Sequence, residues 1–144
     1  MRDDLHLTAA GRLQAANQRY TESRRALVDL LAAAARPVAV EDILERDRSL
    51  PQSSVYRNLA VLEGARVVRR VLGSDELARY ELAEELSEHH HHLVCSNCGR
   101  VEDFEAPPGL ERTVRNAMDA ARLAEGFSPH GHRLDLIGLC RDCA

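Results

Sequence analysis

The chain has 144 residues, of which 44% are hydrophobic and 29% are charged, and its formal net charge is −4. These values are ordinary for a globular protein and exclude wholesale disorder, and the length suits one sizeable domain or two small ones. Since no apolar run approaches membrane-spanning length and the first residues do not resemble a signal sequence, we expect a cytoplasmic protein with reduced thiols and no membrane partner.

The charge is divided unevenly along the chain. Residues 1–72 contain 12 arginines against 9 acidic residues, whereas residues 73–144 contain 7 arginines against 14 acidic residues. The first half is therefore the expected partner of a polyanion, and the second half of cations. Arginine in place of lysine suits bidentate contacts to phosphate or guanine, although codon bias would give the same composition.

The first elements are predicted to be helices. Residues 1–19 suggest an N-terminal arm or a short helix. A firmer helix is expected from an N-cap at Thr21 to about residue 35, because Pro37 cannot continue it. A short helix over residues 40–46 follows, with its apolar residues on one face.

A third helix is predicted over residues 54–63, with Ser53 as its cap. A helix, a short turn and a second helix with an aromatic residue and an arginine near its start is typical of a recognition helix for the major groove, although an ordinary helical pair looks the same. Tyr56 is expected to contact a thymine methyl group and Arg57 a base or phosphate. The alternative for Tyr56 is packing inside the helical bundle.

Residues 67–72 and 78–82, joined by a turn at residues 73–75, predict a β-hairpin. A hairpin after a recognition helix makes the first domain a winged helix–turn–helix. The complete set of candidate DNA-binding residues is Ser54, Tyr56, Arg57, Arg69, Arg70 and Arg79.

An acidic hinge over residues 83–88 is predicted to join a DNA-binding domain (1–82) to a dimerisation and metal-binding domain (89–144). The second domain is expected to be a small α/β unit: a histidine-rich strand, a strand over residues 100–104, a helix closed by Gly126 and a strand from Pro129 to Cys140. The predicted fold class is therefore α+β. Unpaired strand edges in so small a unit favour a homodimer.

Residues 89–92 are four consecutive histidines. In a strand, His89 and His91 would face one way and His90 and His92 the other, so the run can supply two separate metal sites. A solvated polar run or an affinity tag are the alternatives.

Two Cys-x2-Cys pairs, Cys95 with Cys98 and Cys140 with Cys143, are separated by 41 residues. Four thiolates complete a closed tetrahedron around zinc, so we expect a structural zinc site, with two disulfides as the alternative.

The segments Ser54–Leu59, Arg79–Leu82 and His89–Cys98, together with the second cysteine pair, resemble the ferric uptake regulator (Fur) family over about residues 19–143. The resemblance implies a homodimeric, zinc- or iron-responsive transcriptional repressor that binds a palindromic operator in double-stranded DNA. The alternatives are a peroxide-sensing member, a constitutive DNA-binding protein with structural metals only, and a zinc hydrolase. No general base is evident in the sequence, so we do not expect an enzyme.

The resemblance also implies three metal sites. The structural Zn2+ would be held by Cys95, Cys98, Cys140 and Cys143. A regulatory site at the hinge, for Zn2+ or Fe2+, would use Glu81, His90 and His92. The histidine that the family uses near Pro37 is missing, so the remaining ligand would be either Asp103, which matches a carboxylate of the peroxide sensors, or His6. A second regulatory site would use His89, His91, Glu111 and His132.

Overall fold

The structure of the chain is a computed structural model that describes residues 2–144. In chain order its elements are α1 (Arg2–Ala15), α2 (Glu22–Ala33), β1 (Val38–Ala39), α3 (Val40–Arg46), α4 (Gln52–Gly64), β2 (Val68–Leu72), β3 (Ala78–Leu82), a 3-10 turn (Glu84–Leu86), β4 (His91–Cys95), β5 (Val101–Phe104), α5 (Pro108–Glu125) and β6 (Asp135–Gly138).

The first half of the chain is a winged helix–turn–helix whose core lies between helices α1 to α4 and a small antiparallel sheet. Leu13, Leu27, Ile43, Leu59 and Leu62 are fully buried, because the apolar faces of the four helices converge. The sheet has the order β1-β3-β2, and β2 and β3 form the predicted hairpin.

The start of α2 agrees with the prediction. The Thr21 hydroxyl accepts a hydrogen bond from the backbone N–H of Arg24 at 3.3 Å. The helix ends at Ala33, slightly before the expected end at about residue 35, because Ala34 is already extended ahead of the proline.

The predicted cap of α4 at Ser53 is wrong. The helix begins at Gln52, directly after Pro51, so Ser53 already lies within its first turn. Pro51 has a fixed φ of −66° and makes no side-chain cap hydrogen bond. Strand β1 was not expected from the sequence, since two residues are too few to show an alternating pattern.

The second half of the chain folds around a sheet of order β5-β4-β6. Strand β4 pairs antiparallel with β5, which sets His92 opposite Asp103, and parallel with β6, which sets His92 opposite Asp135. The crossover through α5 permits this parallel pairing. The central position of β4 therefore brings carboxylates to both sides of the histidine strand.

Two predicted strands are shorter than expected. β4 begins at His91, so His89 and His90 lie in the segment that leads into it. β6 covers Asp135–Gly138 rather than the whole stretch from Pro129 to Cys140, because β4 offers pairing partners only from His92 to Cys95.

The tip of the wing lies against the first cysteine pair. The Ser74 hydroxyl donates a hydrogen bond to the carbonyl oxygen of Cys95 at 2.6 Å. Gly99, with a φ of +78°, lies so close to the side chain of Asp75 that a Cβ atom at this position would collide with it. The two halves are thus in direct contact away from the hinge.

Helix α5 and strand β6 leave large apolar side chains in solvent. Leu123 on α5 is 89% exposed and Ile137 on β6 is 74% exposed, and Phe127, which follows α5, is 63% exposed. The amphipathic helix α5 buries none of its side chains within this single chain. Over residues 2–144, the helices are too short or too polar to cross a membrane.

Candidate metal centres

The first cluster is the cysteine centre, which consists of Cys95, Cys98, Cys140 and Cys143. All four side chains are free thiols, so the alternative of two disulfides is wrong. The sulfur atoms of Cys98 and Cys140 are 3.7 Å apart. This matches the edge of a tetrahedron with metal–sulfur bonds of roughly 2.3 Å, which is about 3.8 Å. The thiol set therefore fits zinc.

The thiols of the cysteine centre have divergent pKa values. The backbone N–H of Cys140, whose nitrogen is 3.4 Å from the Cys95 sulfur, leads the interactions that lower the pKa of Cys95 to about 6. The Asn97 amide acts to lower the pKa of Cys143, but the neighbouring thiols and burial outweigh it and raise that pKa to about 11. Four thiolates this close together repel one another unless a cation balances their negative charge.

The second cluster is the hinge centre, which consists of Glu81, His90, His92 and Asp103. Glu81 comes from the wing strand β3, and the other residues come from the second half of the chain. One ligand atom from each of these four residues lies within 4.8 Å of every other. The Oε2 atom of Glu81 is 2.9 Å from Nε2 of His90 and 3.1 Å from Nε2 of His92.

The imidazole of His90 is oriented from outside the hinge centre. Its Nδ1 atom is 2.8 Å from the carbonyl oxygen of Glu88, so Nδ1 carries the proton and donates it. In the neutral ring Nε2 then holds a lone pair that points at the carboxylate oxygen of Glu81. Two lone pairs facing each other require either a proton, which makes the ring an imidazolium that donates to Glu81, or a metal ion between them. This donor set therefore fits a cation.

Glu81 is held in its charged form. Its burial acts to raise its pKa, but hydrogen bonds from His92 and His90 and the charge of Arg69 outweigh that effect and lower the pKa to about 2. For Asp103, burial is the largest influence and raises the pKa above its usual value. The two carboxyl groups of one centre thus differ in proton affinity.

The third cluster is the Glu111 centre, which consists of His89, His91, Glu111 and His132. The Oε2 atom of Glu111 is 3.2 Å from Nε2 of His89 and 3.3 Å from Nε2 of His132. Its other oxygen contacts His91. The pKa of Glu111 is lowered, first of all by the hydrogen bond with His91. The alternation of the four histidines between two centres is therefore present in the structure.

His132 carries the clearest sign of an ion in the Glu111 centre. Its Nε2 is a buried nitrogen that lacks a hydrogen-bond partner among residues 2–144, because the nearby Glu111 oxygen is not aligned for one. An orphaned buried nitrogen of this kind needs an explanation, and a bound cation supplies one. The donor set of the Glu111 centre therefore also fits a metal.

Asp103 and His6 were the two alternatives for the last ligand of the hinge centre, and the structure places only Asp103 there. Asp103 lies in the hinge centre, with its Oδ1 atom 3.6 Å from Nε2 of His90. His6 does not: its ring nitrogens contact the Tyr20 hydroxyl at 2.6 Å and Asp29 at 2.8 Å. This corrects the expectation for His6, whose hydrogen bonds instead join α1 to Tyr20 and to Asp29 of α2.

Two candidate phosphate-binding arginines are engaged elsewhere. Arg69 forms an ion pair with Glu81, with 2.6 Å between Nε and Oε1. The guanidinium of Arg79 bonds Asp75 at 2.9 and 3.0 Å, and its side chain is only 12% exposed. Each arginine thus meets a carboxylate within the wing, and a phosphate contact by either residue stays a prediction.

The remaining candidate DNA-binding residues lie at the surface of α4 and β2. Tyr56 is 52% exposed, so the alternative of a packed Tyr56 is wrong. Arg57 is also exposed, and Ser54 is half-buried. Arg70 is half exposed and pairs with Glu63 at 3.2 Å.

Several supporting residues were missed from the sequence. Glu84 contacts Nδ1 of His89, Asp135 lies 3.6 Å from Nδ1 of His92, and the Asn97 amide donates to the Cys143 sulfur at 3.3 Å. Asp135 reaches His92 because β6 pairs with β4, and these two residues are 43 positions apart in the sequence. No local sequence pattern indicates this register.

Comparison with known proteins agrees with these features. The model of the ferric uptake regulator family matches residues 15–137. The ferric uptake regulation protein of Campylobacter jejuni is 33% identical over 131 residues, covering 87% of this chain and 79% of that protein. The peroxide operon regulator of Bacillus subtilis is 29% identical over 130 residues, covering 88% and 84%.

The fold has a counterpart among solved structures. The Helicobacter pylori ferric uptake regulator superposes with a TM-score of 0.75 at 22% identity, covering 99% of this chain and 93% of that one. At this identity the likeness supports the fold alone.

Proposed function

Because the chain belongs to the ferric uptake regulator family, whose members are metal-responsive transcriptional repressors, we propose that it is a zinc- or iron-responsive repressor that binds a palindromic operator as a homodimer. The observation that carries the proposal is the composition of the hinge centre. One of its ligands, Glu81, belongs to the wing, and the others belong to the histidine-bearing half.

The hinge centre is proposed to couple metal binding to the angle between the two halves. A bound Zn2+ or Fe2+ would supply the positive charge that lets Glu81, His90, His92 and Asp103 share one position. Glu81 then keeps β3 beside β4, and the DNA-binding half keeps one orientation. If these residues separate, the segment 83–88 is free to sample other angles.

The two halves of the chain are proposed to have different functions. We assign DNA binding to residues 1–82, the hinge to residues 83–88, and dimerisation and metal binding to residues 89–144. The cysteine centre would hold a structural Zn2+, since it ties β4 to the end of the chain through a closed set of thiols. The Glu111 centre would be a second regulatory site.

Dimerisation is supported by the exposed apolar side chains of α5 and β6. An amphipathic helix without a buried face needs a partner, and a second copy of this chain offers the same surface. In a dimer, the two α4 helices would present Tyr56 and Arg57 to half-sites spaced by a turn of DNA. The interdomain angle would set that spacing.

Operator binding as a function of metal tests the proposal. The dimer, stripped of metals outside the cysteine centre, is titrated with Zn2+ or with anaerobic Fe2+, and its affinity is followed by fluorescence anisotropy on duplexes selected from a random library. We expect affinity to rise by about 10- to 100-fold, the usual range for coupling between two sites.

Two matched variants test whether the hinge centre is the site at which metal raises DNA affinity. His90→Ala should abolish the rise in affinity, whereas His130→Ala, at an exposed histidine outside the three centres, should retain it. Unchanged affinity after refilling would identify a constitutive DNA-binding protein. Catalytic turnover that depends on His90 would instead point to a zinc hydrolase.

Peroxide sensing is a second candidate, favoured by the position of Asp103 in the hinge centre and by the 29% identity to the B. subtilis peroxide operon regulator. It has no better support than the metal-responsive function. Mass spectrometry of the iron-loaded protein after exposure to air decides the question. Added oxygen on His90 or His92 would support peroxide sensing, and unmodified histidines would exclude it.

A further inference from the structure

We propose that Arg69 is a specificity-determining residue of the hinge centre. Its guanidinium occupies one carboxylate oxygen of Glu81 and leaves the other for the cation. The centre thereby favours a four-coordinate ion such as Zn2+ over ions that require a larger, oxygen-rich shell, such as Mn2+. This inference rests on the proposed function of the hinge centre as a metal site.

The geometry of the wing hairpin fixes Arg69 in this place. Arg69 on β2 stands directly opposite Glu81 on β3, so their side chains share one face of the hairpin. The next residue, Arg70, lies on the other face, where it pairs with Glu63 and approaches the ring of Tyr80. Only the first of these adjacent arginines therefore reaches the hinge centre.

The ion pair between Arg69 and Glu81 differs from an exposed salt bridge. The side chain of Glu81 is only 7% exposed, and that of Arg69 is 34% exposed. The Nε–Oε1 distance is 2.6 Å, which is short for a charge-assisted hydrogen bond. A pair with one buried partner is screened by solvent and salt less than an exposed pair is.

The two oxygens of Glu81 therefore have different roles. Oε1 is taken by Arg69, whereas Oε2 faces His90 at 2.9 Å and His92 at 3.1 Å. The ligand atoms left for an ion are Oε2 of Glu81, Nε2 of each of the two histidines, and one oxygen of Asp103. Four donors of mixed nitrogen and oxygen type suit tetrahedral zinc.

Ions with larger shells are disfavoured for the same reason. Mn2+ prefers octahedral coordination by oxygen, which a bidentate glutamate helps to complete. Glu81 can become bidentate only if it releases the guanidinium of Arg69. The positive charge of Arg69 also offsets one of the two carboxylate charges that would attract a cation. Losing Arg69 should therefore strengthen cation binding in general and Mn2+ binding most.

The experiment compares Arg69→Met with the unsubstituted chain, both in a His132→Ala background that disables the Glu111 centre. Dissociation constants for Zn2+ and Mn2+ at the hinge centre are measured by competition with chelators, and Mn2+ coordination is followed by electron paramagnetic resonance. We expect Arg69→Met to strengthen Mn2+ binding at least tenfold more than Zn2+ binding. Arg70→Met should leave both dissociation constants unchanged.

Equal changes for the two ions, or no change for either, would overturn the proposal. Arg69→Gln is measured in parallel, and one zinc per chain in the cysteine centre verifies that each variant folds. Failure of the proposed function would give a different result. The unsubstituted chain in the His132→Ala background would then show no binding of Zn2+ or Mn2+ that depends on His90.

Discussion

Glu81 illustrates how one side chain connects stability to function. Burial alone would raise the pKa of this carboxyl group, yet its two imidazole partners and Arg69 lower it to about 2. A carboxyl group with a folded-state pKa below its unfolded value stabilises the protein above the unfolded pKa of 4.5. That stabilisation is lost as the pH falls from the unfolded value towards the folded one.

Glu81→Gln should therefore reduce the acid sensitivity of the protein when the hinge centre holds no metal. Between pH 6 and pH 3, Glu81 should account for about 2 kcal/mol of the loss in the free energy of unfolding. Urea denaturation at the two pH values, for the unsubstituted chain and for Glu81→Gln, measures the difference. An identical pH dependence in both proteins would contradict the role assigned to this carboxylate.

Among the elements, the wing hairpin makes contacts with both the hinge centre and the cysteine centre. Its strands supply Glu81 to the hinge centre, while its turn rests on the cysteine centre through Ser74 and Cys95. Arg79 braces the turn by bonding Asp75, whose pKa is lowered first of all by that bond. The wing is thus positioned at two points on the second half of the chain.

Gly99→Ala should disturb the contact between the wing turn and the cysteine centre. A Cβ at this position would collide with the Asp75 side chain, and the φ of +78° is itself unfavourable for alanine. We expect a loss of about 1–2 kcal/mol in the free energy of unfolding, measured by urea denaturation. Gly131→Ala is the control, since its Cβ would meet nothing within 4 Å. Equal stability of the two variants would show that the contact is not maintained in solution.

In the proposed dimer, a second copy of the chain covers α5 and β6. Ile137 is 74% exposed on β6, and a charge there would have to be buried in the proposed interface. Ile137→Glu should weaken dimerisation at least tenfold, as measured by analytical ultracentrifugation, and lower DNA affinity in parallel. Leu7→Glu introduces the same charge at a residue of α1 that is 71% exposed, and should leave the dimer intact. Dissociation of both variants, or of neither, would place the interface elsewhere.

Features that depend on local spacing were predictable. The cysteine pairs follow from short sequence intervals, and so does the alternation of His89 and His91 with His90 and His92. The α2 cap at Thr21 and the hairpin turn follow in the same way, because helix and strand periods relate neighbouring residues directly. Residues assigned through the family resemblance, such as Glu111 and His132, were also brought together.

The remaining features depend on which distant segments meet. Asp103 rather than His6 joins the hinge centre because β5 pairs with β4, whereas His6 is held by Tyr20 and Asp29. Arg69 faces inward because β2 and β3 align it with Glu81. Composition and spacing thus specified the cysteine pairs and the alternating histidines, and the family resemblance supplied Glu81, Glu111 and His132. Strand register and domain contact selected the partner of each ligand, because such pairings join residues far apart in sequence that no short-range pattern relates.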